Sequence, residues 1–200
     1  MHTNLLYVVT GPSGAGKTTL IKRLLNQEEN LYFSVSFTTR QKRPEETEGV
    51  DYWFVSPDDF KKRIDSGDFL EYAEVHGKLY GTSKSYVDKA LEKSNILLDI
   101  DVQGAMNVKR EFPDSTVVFI APPTYEELER RLRARGTETP EDLEKRLSDS
   151  RKELKVIDRF DYLILNHDAE EAYELLRSVY IAETLKVGMQ RTKINEFKRL

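Results

Sequence analysis

The sequence predicts an α/β fold built on a five-stranded parallel sheet with flanking helices. Five short apolar runs lie at 5–9, 32–37, 95–100, 116–121 and 161–165. Several of these runs are almost continuously apolar, which is typical of strands buried on both faces. Helical patterns alternate with these runs, as they do where crossover helices join parallel strands. A length of 200 residues suits one domain with small excursions.

Composition excludes several classes of protein. Hydrophobic residues make up 38% and charged residues 33% of the chain, which is incompatible with a disordered protein. The absence of cysteine rules out disulfides and thiolate sites, and three histidines make an imidazole zinc site improbable. A net charge of −4 argues against general nucleic-acid binding. Neither a long apolar run nor a signal-like N-terminus is seen, so we expect a cytoplasmic protein that does not bind membranes.

Helix signals follow the strands in order. The first helix is predicted from about Gly16 to Asn26, the second from about Ser83 to Lys93, and the third after Gly104. Capping signals then open a fourth helix at Thr124 and a fifth at Thr139, where Pro140 takes the first helical position. The last helix covers about 169–185.

Two segments interrupt the alternation of strands and helices. Residues 38–82 hold strand-like pieces around a helix capped at Ser56, which predicts a small inserted α+β subdomain. Residues 125–155 form an arginine-rich helical pair. The predicted core therefore consists of 1–37, 83–124 and 156–200.

The stretch GPSGAGKT at 11–18 matches the phosphate-loop pattern G-x-x-x-x-G-K-[ST] between an apolar strand and a helix. Its glycines let backbone N–H groups surround phosphate oxygens, and the helix N-terminus adds partial positive charge. Lys17 then reaches the β- and γ-phosphates, and the Thr18 hydroxyl is placed for Mg²⁺. The loop predicts a P-loop NTPase-type fold that binds a nucleoside triphosphate. A GTPase would also carry N-K-x-D, which is absent from this chain.

The inserted segment 38–82 carries candidate acceptor contacts. Arg40 and Arg43 suit a bidentate grip on a phosphate, although a plain basic loop is the alternative. A period of two places Glu71 on one strand face with Phe69, Ala73 and Val75, so the carboxylate needs a partner. That partner is guanine, through its N1–H and N2–H donors, or else a salt bridge or an exposed edge accounts for Glu71.

Two further groups of charges invite interpretation. Asp99 and Asp101 end a buried strand beside the phosphate loop, where they act on the Mg²⁺ shell or a base, or cap the next turn. In the helix after Thr124, pairs four residues apart, such as Glu126 with Arg130, account for several arginines. Three arginines remain as candidates for a cationic lid over the triphosphate: Arg131, Arg135 and Arg146.

Together these segments resemble the guanylate kinase family over nearly the whole chain. The resemblance rests on VVTGPSGAGKTTL, SVSFTTRQKRPEETEGVDYWFVS, FLEYAEVHGKLYGTS, ILLDIDVQGA, FIAPP and RLRARGTET, in that order. Two departures are visible. The loop that commonly reads P-R-P-G-E has Lys42 and Glu45 in place of proline and glycine, and Ser83 stands where bacterial members often have proline.

The resemblance implies a role for each matching residue. ATP would be bound by Gly11, Pro12, Ser13, Gly14, Ala15, Gly16, Lys17, Thr18 and Thr19, with Asn166 near the adenine. The GMP phosphate would be held by Arg40, Arg43, Tyr52 and Tyr80, and the guanine by Ser36, Glu71, Thr82 and Asp101. Asp99 would also belong to the GMP site, near the metal and the phosphates. Thr18 and Asp99 would serve Mg²⁺. Catalysis would fall to Lys17, Arg40, Arg131, Arg135 and Arg146.

The implied activity is Mg²⁺-dependent transfer of the γ-phosphoryl of ATP to GMP or dGMP, giving GDP or dGDP and ADP. Two alternatives stay open at this stage. One is a non-catalytic guanylate-kinase-like module that binds proteins, and it is disfavoured by the intact Lys17 and Thr18. The other is a kinase for a different nucleoside monophosphate, which Glu71 argues against.

Overall fold

A computed structural model of the chain describes residues 4–75, 77–134 and 140–199. The strands of the larger sheet are β1 (Leu6–Thr10), β2 (Leu31–Phe33), β7 (Asn95–Asp99), β8 (Thr116–Ala121) and β9 (Tyr162–Leu165). The smaller sheet contains β3 (Phe37–Thr38), β4 (Trp53–Phe54), β5 (Phe69–Val75) and β6 (Lys78–Ser83). The helices are α1 (Lys17–Gln27), α2 (Pro57–Asp65), α3 (Lys84–Ala90), α4 (Val102–Glu111), α5 (Tyr125–Ala134), α6 (Pro140–Leu154), α7 (Ala169–Thr184) and α8 (Arg191–Phe197). Short 3₁₀ helices cover Ile157–Arg159 and Val187–Gln190.

The larger sheet is parallel, in the order β2-β7-β1-β8-β9, which confirms the predicted fold class. Alternate residues of β1 enter two different cores. Tyr7 and Val9 pack with α1 and α7, while Leu6 and Val8 pack with α3 and α4. Because both faces are covered, the central strands are apolar at nearly every position. All strands end at one edge, which therefore collects the loops that carry the site.

The inserted segment forms the second sheet, in the order β4-β3-β6-β5, with α2 packed on it. Ser56 caps α2 as predicted, because its side chain accepts a hydrogen bond from the backbone N–H of Asp59. Phe60 of α2 is fully buried and stacks on Phe69 of β5. This subdomain is joined to the core by β3 and by the β6–α3 junction.

Besides the assignment of strand faces in β5, where the pairing register shifts between Phe69 and Glu71, three local predictions were wrong. The run 32–37 is not one strand: β2 pairs with β7 in the larger sheet, and Phe37 begins β3 in the other sheet. The third helix begins at Val102, before Gly104, because Asp101 caps it. Arg130 pairs with Glu127, three residues away, rather than with Glu126. Thr139, the predicted cap of the fifth helix, lies outside the described residues.

Within the described ranges, no helix has both the length and the apolar character that crossing a bilayer requires.

Candidate active site

The phosphate loop joins the carboxyl end of β1 to the first turn of α1, and its shape depends on glycine. Gly11 has a φ of +133°, and a Cβ there would overlap the carbonyl oxygen of Ile120. Gly16 precedes α1 with a φ of +90° and no side-chain cap. The N-terminus of α1 carries partial positive charge and therefore suits an anionic ligand.

A cavity of about 420 Å³ lies over this loop. It is lined by Gly11, Pro12, Ser13, Gly14, Gly16, Lys17, Thr18, Thr19, Asp99, Ile100, Asp101 and Glu153. The Nζ of Lys17 donates to the carbonyl oxygen of Gly11 at 2.6 Å. Burial raises the pKa of both Asp99 and Glu153, and the charge of Lys17 opposes that rise. The cavity therefore combines one cation with carboxylates that are easier to protonate than usual.

In the inserted segment, Arg40 is held by Glu46 through two hydrogen bonds of 2.6 and 2.9 Å. Their side chains are only 16% and 12% exposed. Glu46 also accepts from the backbone N–H of Arg43 at 2.8 Å. The guanidinium of Arg40 lowers the pKa of Glu46 to about 2. A carboxylate thus fixes the first arginine of this loop and the backbone of the second.

Two tyrosines complete the arginine cluster. The Arg40 guanidinium lies 5.4 Å from the centre of the Tyr52 ring, and the rings of Tyr52 and Tyr80 are 5.8 Å apart. These residues come from different parts of the chain: Tyr52 precedes β4 and Tyr80 belongs to β6. The small sheet brings them together, since both of these strands pair with β3.

Glu71 accepts a hydrogen bond of 2.6 Å from the Thr82 hydroxyl. Burial raises the pKa of Glu71, the Thr82 hydroxyl opposes this, and the nearby Asp101 charge adds to it. Within the described residues Glu71 forms no ion pair, so the salt-bridge alternative is not supported. Ser36 immediately precedes the Phe37–Gly81 pair of β3 and β6, which puts it on the adjacent strand beside Thr82.

The lid helices contact the phosphate loop directly. Arg146 of α6 donates to the Ser13 hydroxyl at 3.1 Å. Arg131 of α5 donates to Glu127 at 2.7 Å and to the carbonyl oxygen of Asn166 at 2.9 Å. Two of the three predicted lid arginines therefore lie around the loop. Arg135 lies outside the described residues.

Asn166 links the phosphate loop to helix α5 of the lid. Its side-chain amide donates to the Ala15 carbonyl oxygen at 2.8 Å, and its own carbonyl accepts from Arg131. Asn166 is 6% exposed. It therefore braces the phosphate loop, and a contact with adenine stays a prediction.

A larger groove, of about 1260 Å³, lies between α2 of the inserted segment and the core, next to the start of α3 and the end of α4. Several of its charged residues form ion pairs within the groove, Arg63 with Asp68 at 2.6 Å, Lys62 with Asp59 at 3.0 Å and Lys84 with Glu111. It contains none of the predicted site residues. The smaller cavity over the phosphate loop is the better candidate for a reaction site because Lys17, several carboxylates and the N-terminus of α1 meet there.

Comparison with known proteins agrees with this geometry. A family model described as guanylate kinase matches residues 3–183. The guanylate kinase of Thermotoga maritima is 45% identical over 194 residues, covering 96% of this chain and 94% of the relative. That of Caldanaerobacter subterraneus is 44% identical over 188 residues, covering 94% and 91%. The crystal structure of guanylate kinase from Anaplasma phagocytophilum aligns with a TM-score of 0.70 and 31% identity, covering 94% of this chain and 90% of that one.

The chain belongs to the guanylate kinase family.

This family membership confirms the predicted enzyme class and activity. The protein is a transferase of the nucleoside monophosphate kinase type, an ATP:GMP phosphotransferase. Neither the protein-binding module nor a kinase for another monophosphate is favoured by the relatives.

In this guanylate kinase family member, the sequence analysis missed two carboxylates of the candidate site, Glu46 and Glu153. Glu46 holds Arg40, and the sequence signal that could have found it is an acid six residues beyond an arginine predicted to bind phosphate. Glu153 reaches the phosphate-loop cavity from the last turn of α6. No local pattern distinguishes Glu153 from the other acids of that helix, so only the packing of α6 reveals it. Asp101 caps α4 through the N–H of Gly104 at 2.7 Å, as the alternative interpretation of this residue required.

Proposed function

We propose that this member of the guanylate kinase family transfers the γ-phosphoryl of ATP to the α-phosphate of GMP or dGMP in the space between the phosphate loop and the small sheet. One observation carries the proposal. The cavity over the phosphate loop includes Asp101, whose helix α4 lies against Glu71 of the small sheet. The triphosphate site and the candidate base site therefore adjoin.

On the donor side, the loop binds the phosphates of ATP through backbone N–H groups and Lys17. Arg146 supports this role because it already contacts Ser13. Arg131 and Arg135 join it when the lid closes, and Arg131 then exchanges Glu127 for phosphate oxygen. The full donor set is Gly11, Pro12, Ser13, Gly14, Ala15, Gly16, Lys17, Thr18, Thr19 and Asn166.

On the acceptor side, Arg40, Arg43, Tyr52 and Tyr80 hold the phosphate of GMP. Ser36, Glu71, Thr82 and Asp101 contact guanine. The Glu71 carboxylate accepts N1–H and N2–H, which adenine does not offer as a pair. Its elevated pKa and hydroxyl partner support this role, since burial leaves the carboxylate short of donors.

No general base is required for the transfer. The second pKa of a phosphomonoester is about 6, so the acceptor oxygen is already anionic at neutral pH. The protein has to align two polyanions and stabilise charge on the transferring group, a task of positioning and electrostatics. The core (1–37, 83–124, 156–200), the GMP subdomain (38–82) and the lid (125–155) close around both nucleotides and exclude water.

Mg²⁺ would be held near Thr18 and Asp99. A hydroxyl and a carboxylate at the edge of the cavity fit a hard cation that keeps several waters and binds phosphate oxygens. Within the described residues no cluster of three or more acidic, histidine or cysteine side chains could bind it alone, which agrees with such sparse protein ligation. When bound, the ion supplies neutralisation of phosphate charge. A cytoplasmic location and a role in purine metabolism stay predictions.

The test is a coupled assay of ADP release with ATP and Mg²⁺ against GMP, dGMP, AMP, UMP, CMP and dTMP. Turnover should be confined to GMP and dGMP, should stop on addition of a chelator, and should be slow when no monophosphate is present. Glu71→Ala should lose GMP use, while Glu74→Ala, an exposed position on the same strand, should keep it. Turnover with AMP comparable to that with GMP, or unchanged GMP use in Glu71→Ala, would overturn the proposal.

A further inference from the structure

Glu71 follows an irregularity in strand β5. The pairing of β5 with β6 shifts between Phe69, opposite Ser83, and Glu71, opposite Thr82. Leu70 is thus an extra residue, and its side chain is 2% exposed in the core that includes α4. Bulges of this kind bend a strand and redirect the next side chain. Here the redirected side chain is the Glu71 carboxylate.

The redirected Glu71 side chain packs against helix α4 at Gly104, which has no side chain. A Cβ at Gly104 would be 2.6 Å from the Cγ of Glu71, 2.9 Å from its Cβ and 3.3 Å from the carboxylate of Asp101. Gly104 is buried inside a regular helix, so its backbone does not require glycine. The absent side chain is what makes room for Glu71 beside Asp101.

The same helix also holds the bulge. The side-chain amide of Asn107 donates to the carbonyl oxygen of Leu70 at 2.7 Å. A bulge leaves backbone groups out of the ladder, and a buried carbonyl without a donor is destabilising. Asn107 therefore stabilises the irregular backbone that aims Glu71.

We propose that Gly104 and Asn107 of core helix α4 are positioning residues for base recognition. Gly104 lets the Glu71 carboxylate approach the helix, and Asn107 fixes the bulge that points the carboxylate there. Base selectivity is then set across the boundary between the core and the inserted subdomain, not by the subdomain alone. This inference rests on the proposed guanine role of Glu71.

The test uses inosine monophosphate, which keeps the N1–H of GMP but lacks the 2-amino group. Gly104→Ala should displace the carboxylate and reduce kcat/KM for GMP about tenfold or more, with a smaller loss for inosine monophosphate. The ratio of the two values should therefore fall at least about fivefold, and KM for ATP should not change. Gly188→Ala, the same substitution where nothing lies within 4 Å, should keep the parental ratio.

A second variant covers the case in which Gly104→Ala fails to fold. Asn107→Asp keeps the shape but cannot donate to the Leu70 carbonyl when ionised, and it should reduce the same ratio. Arg110→Ala, on the exposed side of α4, is its control. If Glu71→Ala abolishes the preference for GMP and both α4 variants keep it, the inference is wrong and the proposed function stands. If Glu71→Ala keeps the preference, the guanine role of Glu71 itself fails.

Discussion

Replacing Asn166 by alanine should weaken the fold and ATP binding together. The amide of Asn166 donates to the carbonyl oxygen of Ala15 at 2.8 Å, and Ala15 is completely buried in the phosphate loop. The backbone of Asn166 keeps its own bonds, from its N–H to Ala121 at 2.7 Å and from Arg131 to its carbonyl. The substitution therefore removes one specific brace of the loop.

The magnitude follows from that brace. Leaving a buried carbonyl without a donor costs about 1–3 kcal/mol. For a domain of this size, a loss of about 2 kcal/mol lowers Tm by about 4–8 °C. The loosened loop must also be ordered again when ATP binds. If ordering the loop costs about half of that ~2 kcal/mol, ATP binding is weakened by about 1 kcal/mol. The Kd for ATP then rises about fivefold, since 1.4 kcal/mol corresponds to tenfold.

The assay pairs urea and thermal unfolding of the ATP-free protein with calorimetric titration of ATP. Asn30→Ala, at an exposed turn, is the control. Asn166→Asp should be at least as unstable as the alanine variant, because a carboxylate then faces the Ala15 carbonyl. Unfolding within about 0.5 kcal/mol of the parent, together with weaker ATP binding, would refute the brace and favour a direct contact with the nucleotide.

Two further predictions concern the proposed acceptor side. Glu46→Gln removes the charged partner of Arg40, so KM for GMP should rise several-fold while KM for ATP stays unchanged. Glu45→Gln, at an exposed neighbouring position, should match the parent, and equal GMP kinetics in both variants would contradict the role of Glu46. Burial raises the pKa of Glu71, so the folded protein binds the proton of this carboxyl more tightly than the unfolded chain does. The contribution of Glu71 to stability therefore falls as pH rises from its pKa in the unfolded chain to its pKa in the folded protein. In the proposed role of Glu71, guanine binds the ionised form. GMP affinity should then increase with pH over that interval in the parent but not in Glu71→Gln, and identical pH slopes in calorimetric titrations would argue against this role.

Most of the larger sheet could be predicted from local pattern. Strands buried on both faces leave continuous apolar runs, and the predicted runs at 5–9, 95–100 and 116–121 correspond to the central strands β1, β7 and β8. The run at 161–165 corresponds to the edge strand β9, in which only Ile164 is buried. The run at 32–37 shows where this logic stops. Both halves of this run contain aromatic residues, and only pairing with β7 or with β6 decides which sheet each half joins.

The face assignment in β5 failed for a related reason. A strict period of two places Phe69 on the same side as Glu71. The bulge at Leu70 changes the alternation, and the Phe69 ring instead approaches the Tyr72 ring at 6.2 Å. No residue type at 69–71 announces a bulge. It is stabilised by the fit of Leu70 into the core and by Asn107, 37 residues away in the chain.

The phosphate loop was determined by the sequence itself, because its function depends on backbone conformation, glycine spacing and one lysine within eight residues. The partners of that loop were decided by tertiary structure. Asn166 meets Ala15 across 151 residues, and Arg146 meets Ser13 across 133. Local propensity carries no information about such distant pairs. They form because the parallel strands end at one edge of the sheet, where segments far apart in the chain share a small buried space and must satisfy each other's polar groups.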